Sequence, residues 1–223
     1  MSVPAVSTQE RPTATGRVLR GALLAASAWL DSQAERINAL NVFPVPDGDT
    51  GTNMSLTLRA SADALRQLPE TASVDEVSRA AYQSAMMGAR GNSGVILSQL
   101  LRGFAQALAG KQELTPHDLA AALAAASEVA YRGVSRPVEG TILTVARCVA
   151  EAAAAAAKRG EELPRVLEHA VRAAGKAVAE TPNQLEVLRK AGVVDSGGEG
   201  YRVVLEGAWS SAFFPPWAST LRR

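Results

Sequence analysis

Two carboxylates, Asp47 and Asp49, flank Gly48 in the run Asn41-Val-Phe-Pro-Val-Pro-Asp-Gly-Asp-Thr-Gly-Thr-Asn-Met54. In extended backbone, side chains two residues apart point the same way, so both acids can face one cation. Pro44 and Pro46 prevent regular helix on the approach, and Gly48 and Gly51 permit turns that a side chain would resist. Hard oxygen ligands at this density suit Mg²⁺, which commonly takes one or two carboxylates and completes its shell with water and phosphate oxygens. The same pair also fits a helix-capping loop with two solvated acids. The choice between them rests on the rest of the chain.

Three other stretches carry comparable chemistry: Gly88-Ala-Arg-Gly-Asn-Ser-Gly94, the irregular segment 132–140 followed by Thr141, and the segment 191–200 with Asp195-Ser-Gly-Gly198 inside it. Each leads into an expected helix N-terminus, where free backbone N–H groups and the macrodipole favour anions. Gly91 and Gly94 let the backbone approach a phosphate closely, with Asn92 and Ser93 as added polar contacts. Gly140 and Thr141 repeat that arrangement in smaller form, and Asp195 adds another acid. Arg90 fits either a phosphate or a surface salt bridge. No Gly-x-x-x-x-Gly-Lys-Ser/Thr run occurs, which excludes a P-loop.

The elements that must position these residues are helices. Hydrophobic residues make up 47% of the 223, much of that alanine, while aromatics are only 4%; strands favour aromatic and β-branched residues. Helical patterns cover about 15–40, 53–68, 73–87, 94–108, 115–131, 141–157, from 164 onward, and 201–212. Ser73 and Glu76 form a capping-box pattern, and Pro116 stands at a first helical position. Thr181-Pro182-Asn-Gln184 reads as a new cap inside the seventh helix, which is bent or split before Lys190.

The connections after helices one, three, five and seven are rich in Gly, Asp, Asn and Ser. Those after two, four and six are short plain turns at Pro69, Gly110 and Gly160. Short connections favour antiparallel neighbours. If the helices alternate up and down, all four special loops fall at one end, where together they describe a Mg²⁺–polyphosphate site. The expected fold is therefore all-α, an antiparallel up-and-down arrangement of about eight helices over 15–212, with a disordered lead-in at 1–14 and a tail at 213–223.

Composition narrows the function classes. The formal net charge is +1 with both signs scattered, so no basic stripe suits nucleic acid. The single cysteine, Cys148, allows no intrachain disulfide and reads as a buried small hydrophobe. His117 and His169 lie in different expected helices and form neither a zinc site nor a triad. The run Gly21–Leu30 imitates a signal peptide, but Leu23, Leu24 and Trp29 fall at helical spacing and mark an amphipathic first helix. No run approaches the ~20 apolar residues of a transmembrane segment. The expectation is a soluble, cytoplasmic protein.

Asn41–Met54, together with 88–99 and 192–200, resembles the nucleotide-binding domain of the dihydroxyacetone kinase L-subunit (DhaL) family, most of all the version at the N-terminus of bacterial fatty acid kinases. The resemblance implies a closed eight-helix barrel holding ATP or ADP and two Mg²⁺ ions in the loops at one end. It implies that Asp47 and Asp49 ligate metal and act in catalysis. Asn41 stands near where the dihydroxyacetone kinase branch has a third aspartate, which makes it a candidate third ligand. Gly91, Asn92, Ser93 and Gly94 match the phosphate-binding turn, with Thr52, Asn53, Gly140, Thr141 and Asp195 as further nucleotide contacts. The implied reaction is transfer of the ATP γ-phosphoryl to an acceptor presented by a partner, a fatty acyl carboxylate on a fatty-acid-binding protein before dihydroxyacetone (glycerone) on a substrate subunit. Asp195-Ser-Gly-Gly198 departs from the Asp-Pro-Gly-Ala type of the dihydroxyacetone kinases. Two other readings stand beside it: a non-catalytic nucleotide-binding regulatory module, and a haloacid-dehalogenase-like phosphatase suggested by Asp47-Gly-Asp-Thr50, whose chemistry sits after a strand of an α/β sheet.

Overall fold

In the computed structural model, which describes residues 13–213, the chain runs as β1 (Ala14–Thr15), α1 (Gly16–Asn38), α2 (Thr50–Arg66), α3 (Val74–Gly88), α4 (Gly91–Ala107), β2 (Glu113–Leu114), α5 (Pro116–Gly133), α6 (Ile142–Lys158), α7 (Leu163–Gln184), α8 (Glu186–Ala191) and α9 (Ser196–Phe213). Each long helix packs on its sequence neighbours, and α9 closes the ring against α1. The result is a closed antiparallel barrel. Its wall is knitted by the fully buried side chains of Leu30, Ile37, Met54, Leu58, Leu97, Val145 and Val149. Buried alanines on α5, α6 and α7 (Ala122, Ala126, Ala153, Ala170, Ala174) bring neighbouring backbones close, as the composition anticipated.

At the plain-turn end, α3 and α5 both begin with complete capping boxes, Ser73 with Glu76 and Thr115 with Asp118. Strands β1 and β2 pair antiparallel across that end, Ala14 opposite Leu114, so Ala14 is ordered structure and not part of a disordered lead-in. Residues 1–12 and most of the expected tail lie outside the described residues. Beneath the ribbon sits an almost wholly apolar cavity of about 110 Å³, lined by α1, α4, α5, α7 and α9.

Two expectations need correcting. The ninth helix starts at Ser196 and not near Tyr201, so Gly197, Gly198 and Gly200 are helical. These glycines serve close packing: a Cβ at Gly200 would stand 2.5 Å from the Met54 sulfur and one at Gly198 2.8 Å from a Val145 methyl. Similarly, α2 begins at Thr50, which puts Thr52 and Asn53 in its first turn. The split expected in the seventh helix before Lys190 is present, at Leu185 between α7 and α8, while Pro182 lies inside α7. Proline cannot donate to the carbonyl four residues back, here that of Val178. The Thr181 hydroxyl donates to that carbonyl instead, at 2.7 Å, and the helix continues through the proline.

Candidate functional site

The connections α1–α2, α3–α4, α5–α6 and α8–α9 meet at one end of the barrel around an open cavity of about 550 Å³. The alternation of rich and plain connections in the sequence thus has its counterpart in space. Asn41, Asp47, Asp49, Asn53, Gly91, Asn92, Ser93, Thr141 and Asp195 all line this cavity. Thr52, Gly94 and Gly140 do not. Thr52 is held on the outer side by Asn38, whose amide donates to its hydroxyl at 2.9 Å and accepts its N–H at 3.1 Å. Gly94 packs against Thr57, and Gly140 abuts Thr181, Gln184 and Leu185; both shape the mouth without facing it.

Helices α2, α4, α6 and α9 start at the cavity; Thr141 caps α6 and Asp195 accepts from the first turn of α9, while α2 and α4 lack side-chain caps. Asp49 occupies the N-cap of α2, yet its carboxylate makes no capping hydrogen bond, and Arg90 at the N-cap of α4 makes none either. Apart from the Thr52 N–H, which Asn38 accepts, first-turn N–H groups of these two helices have no side-chain partner among the described residues, the condition under which a helix N-terminus accepts an anion. The Asp47 and Asp49 carboxylates have no hydrogen bond or ion pair with the described residues. Among the described residues, no cluster of three or more His, Cys, Asp or Glu forms a closed metal cage. Two free carboxylates beside open backbone donors fit a hard divalent cation that keeps waters and takes phosphate oxygens.

The mouth is fixed by a chain of hydrogen bonds from helix to helix. Asn41 is buried, and its amide nitrogen donates to the carbonyls of Val45 (3.1 Å) and Phe43 (3.5 Å) while its oxygen accepts the Asp49 N–H (3.2 Å). Both ends of the amide are hydrogen-bonded, so Asn41 braces the acidic loop. Ser196 donates to the Thr50 hydroxyl at 3.1 Å, joining the starts of α9 and α2. The Thr57 hydroxyl accepts the Arg90 N–H at 3.2 Å, joining α2 to α4. Arg90 itself is exposed and does not line the cavity.

Asp195 is likewise engaged by backbone at the mouth. Its side chain is buried and accepts the Gly198 N–H at 2.7 Å, with a second backbone bond from Ile142, so it ties the starts of α9 and α6 together. Its own N–H donates to Thr181 at 3.0 Å. Burial raises the Asp195 carboxyl to about 6, with the two N–H groups pulling it partway back. On the α5–α6 loop, Glu139 accepts from Thr144 (2.7 Å), Tyr131 (2.8 Å) and Arg147 (3.0 Å). Burial opposes its charge, but those three donors outweigh it and hold the carboxyl below its ordinary range.

Several lining residues escaped the sequence reading: Thr50, Gln99, Ser135, Arg136 and Ser196, with an apolar side formed by Phe43, Val95, Ile96, Val134, Val138, Ile142 and Leu143. Thr50 and Ser196 could have been found as first helical residues once the helix starts were placed correctly. The apolar side carries no local signal. Asp47-Gly-Asp-Thr50 stands between two helices, and the strands among the described residues are two residues long, so the strand-borne context of a haloacid-dehalogenase phosphatase is missing.

Fold and site together define an all-α barrel with an anion-receptive, acid-bearing mouth. A family model for the DAK2 domain matches residues 44–210; the chain belongs to the DAK2 domain family. It is 44% identical over 199 residues to Protein YloV of Bacillus subtilis, covering 89% of this chain and 36% of that protein. It is 42% identical over 192 residues to an uncharacterized protein of Staphylococcus haemolyticus, covering 86% of this chain and 35% of that one. The chain thus spans little more than a third of the length of these curated relatives. The crystal structure of the dihydroxyacetone kinase from C. freundii in complex with AMP-PNP and Mg²⁺ shares its fold, with a TM-score of 0.65 at 21% identity over 95% of this chain and 37% of that one. Among the described residues no helix is long and apolar enough to cross a membrane.

Proposed function

We propose that this chain is an ATP- and Mg²⁺-binding kinase domain that transfers the γ-phosphoryl group to an acceptor presented by a partner protein or domain. The observation that carries it is the pairing, at one mouth, of two unpartnered carboxylates with uncapped helix N-termini. The complex of the structural neighbour with AMP-PNP and Mg²⁺ supports the same ligand pair. Asp47 and Asp49 would hold the metal, and Mg²⁺ bound there would bridge phosphate oxygens and offset charge in the transition state.

The protein's own residues do the rest. Backbone N–H groups at Gly91–Ser93 and at the start of α2 orient the phosphates, with the unengaged Asn53 amide beside them. Gly91 has φ of 56°, the left-handed region natural to glycine, and a Cβ there would collide with the Asn53 amide. The apolar side from Phe43 to Leu143 offers a dry surface for a nucleobase. In the transfer, the bond from the γ-phosphorus to the β-bridging oxygen breaks, ADP leaves, and a bond from that phosphorus to the acceptor oxygen forms.

The acceptor we favour is a fatty acyl carboxylate, giving an acyl phosphate. An ionised carboxylate has no proton to remove, so transfer to it needs no general base. Neither His117 nor His169 lines it, so nothing there could hold a ketone as a histidine adduct. The test is γ-labelled ATP with a fatty-acid-loaded carrier protein in one arm and a dihydroxyacetone-loaded substrate subunit in the other. Acyl phosphate trapped as a hydroxamate in the first arm supports the reading. Label on dihydroxyacetone alone would reassign the acceptor, and MgATP binding without turnover in either arm would favour a regulatory module.

A further inference from the structure

The loop between α5 and α6 carries a cation that the site has not yet used. Four charged side chains line the cavity, and three of them are acids: Asp47, Asp49 and Asp195. The fourth is Arg136, the one cation in the lining among the described residues. It is one of three arginines on and around this loop. Arg132 pairs with Glu128 at 3.2 Å, and Arg147 pairs with Glu139 at 3.0 Å and Glu151 at 3.2 Å. Arg136 is exposed and has no hydrogen bond or ion pair with any described residue.

The backbone that carries it is fastened on both sides. Tyr131 and Thr144 both donate to Glu139, the Gly140 N–H donates to the Thr144 hydroxyl at 2.8 Å, and the Thr141 hydroxyl donates to the Val138 carbonyl at 2.7 Å. Pro137 restricts the backbone of Arg136 itself to extended conformations. An anchored strap thus carries one unneutralised guanidinium to the rim of a cavity whose other charges are negative. A guanidinium presents a planar fork of N–H donors matched to phosphate oxygens.

We propose that Arg136 binds the phosphate chain of the nucleotide, completing from the α5–α6 side the cradle that α2 and α4 build from backbone N–H groups. This rests on the nucleotide reading of the site and adds to it a specific side chain. Asp47 and Asp49 reach the phosphates only through a cation, whereas Arg136 does so directly. Its contact is therefore with anionic oxygen and not with the nucleoside.

The experiment is calorimetric titration of wild type, Arg136→Gln and Arg136→Lys with MgATP, MgADP and adenosine, alongside thermal melts of each protein. Loss of one charge-assisted hydrogen-bonding group predicts at least about tenfold weaker MgATP binding by Arg136→Gln. Adenosine affinity should not change, melting should not move, and Arg136→Lys should retain part of the binding. Equal MgATP affinity in wild type and Arg136→Gln would overturn the assignment. A loss shared equally by adenosine would do the same, because it would place the effect outside the phosphates. Failure of the wild type to bind MgATP at all would instead overturn the kinase reading and this contact with it.

Discussion

Replacing Asp195 by Asn should change how stability depends on pH, and the size follows from where the carboxylate sits. Buried at the joint of α6 and α9, it is raised from 3.8 to about 6. A raised acid favours its protonated form in the folded state, so its stabilising contribution is complete below about pH 3.8 and lost as pH rises through about 6. The full window spans roughly two pH units, or about 3 kcal/mol, of which about 2 kcal/mol falls between about pH 4.5 and 7.5. Asparagine has the same shape and does not titrate. Urea denaturation of both proteins, followed by helical circular dichroism at each end of that range, isolates the difference. Acids held below their ordinary range elsewhere, Asp31, Glu76, Asp118 and Glu161 among them, contribute alike to both and cancel. The expected result is that Asp195→Asn gains about 2 kcal/mol relative to wild type on going from the acidic to the neutral end. A gap between the two proteins that stays constant with pH would refute the buried, helix-tying position of this carboxylate.

Gly91→Ala places a Cβ against the Asn53 amide in a left-handed backbone position, and should weaken MgATP binding at least about tenfold by calorimetry. Thr52→Ala should leave that affinity unchanged within about twofold, because Thr52 faces Asn38 outside the cavity; its melting temperature should fall slightly. Asn41→Ala removes the brace that joins Phe43, Val45 and Asp49; urea denaturation should show a loss of about 1–3 kcal/mol. Gly103→Ala drives a Cβ into the Ala125 carbonyl where α4 meets α5, and should destabilise by about 3 kcal/mol or more on the same assay without touching the mouth.

The architecture was legible because turn chemistry is local. Dense Gly, Asp, Asn and Ser after odd helices against plain turns after even ones gave the parity, and parity alone placed four loops at one end. The caps at Ser73 and Thr115 were readable for the same reason. Where a residue's purpose lies in a distant contact, the sequence was silent. Gly198 and Gly200 read as loop because the side chains that require their smallness, Val145 and Met54, are remote in the chain. Pro182 read as a helix break because the Thr181 hydroxyl that replaces the missing donor could not be anticipated from propensity. Asn41 and Asp195 line the mouth as their loops implied, and their bonds to backbone N–H groups were not legible in the sequence. Arg136 was missed because a single exposed arginine before a proline carries no pattern.

The most direct measurement is calorimetric titration of ATP into wild type and the Asp47→Asn, Asp49→Asn double variant, with Mg²⁺ and again with EDTA. Saturable binding by the wild type that requires Mg²⁺, and that the double variant loses by at least about tenfold, is what the mouth predicts. Equal affinity in the two proteins, or binding indifferent to Mg²⁺, would contradict a metal–nucleotide site built on these two carboxylates.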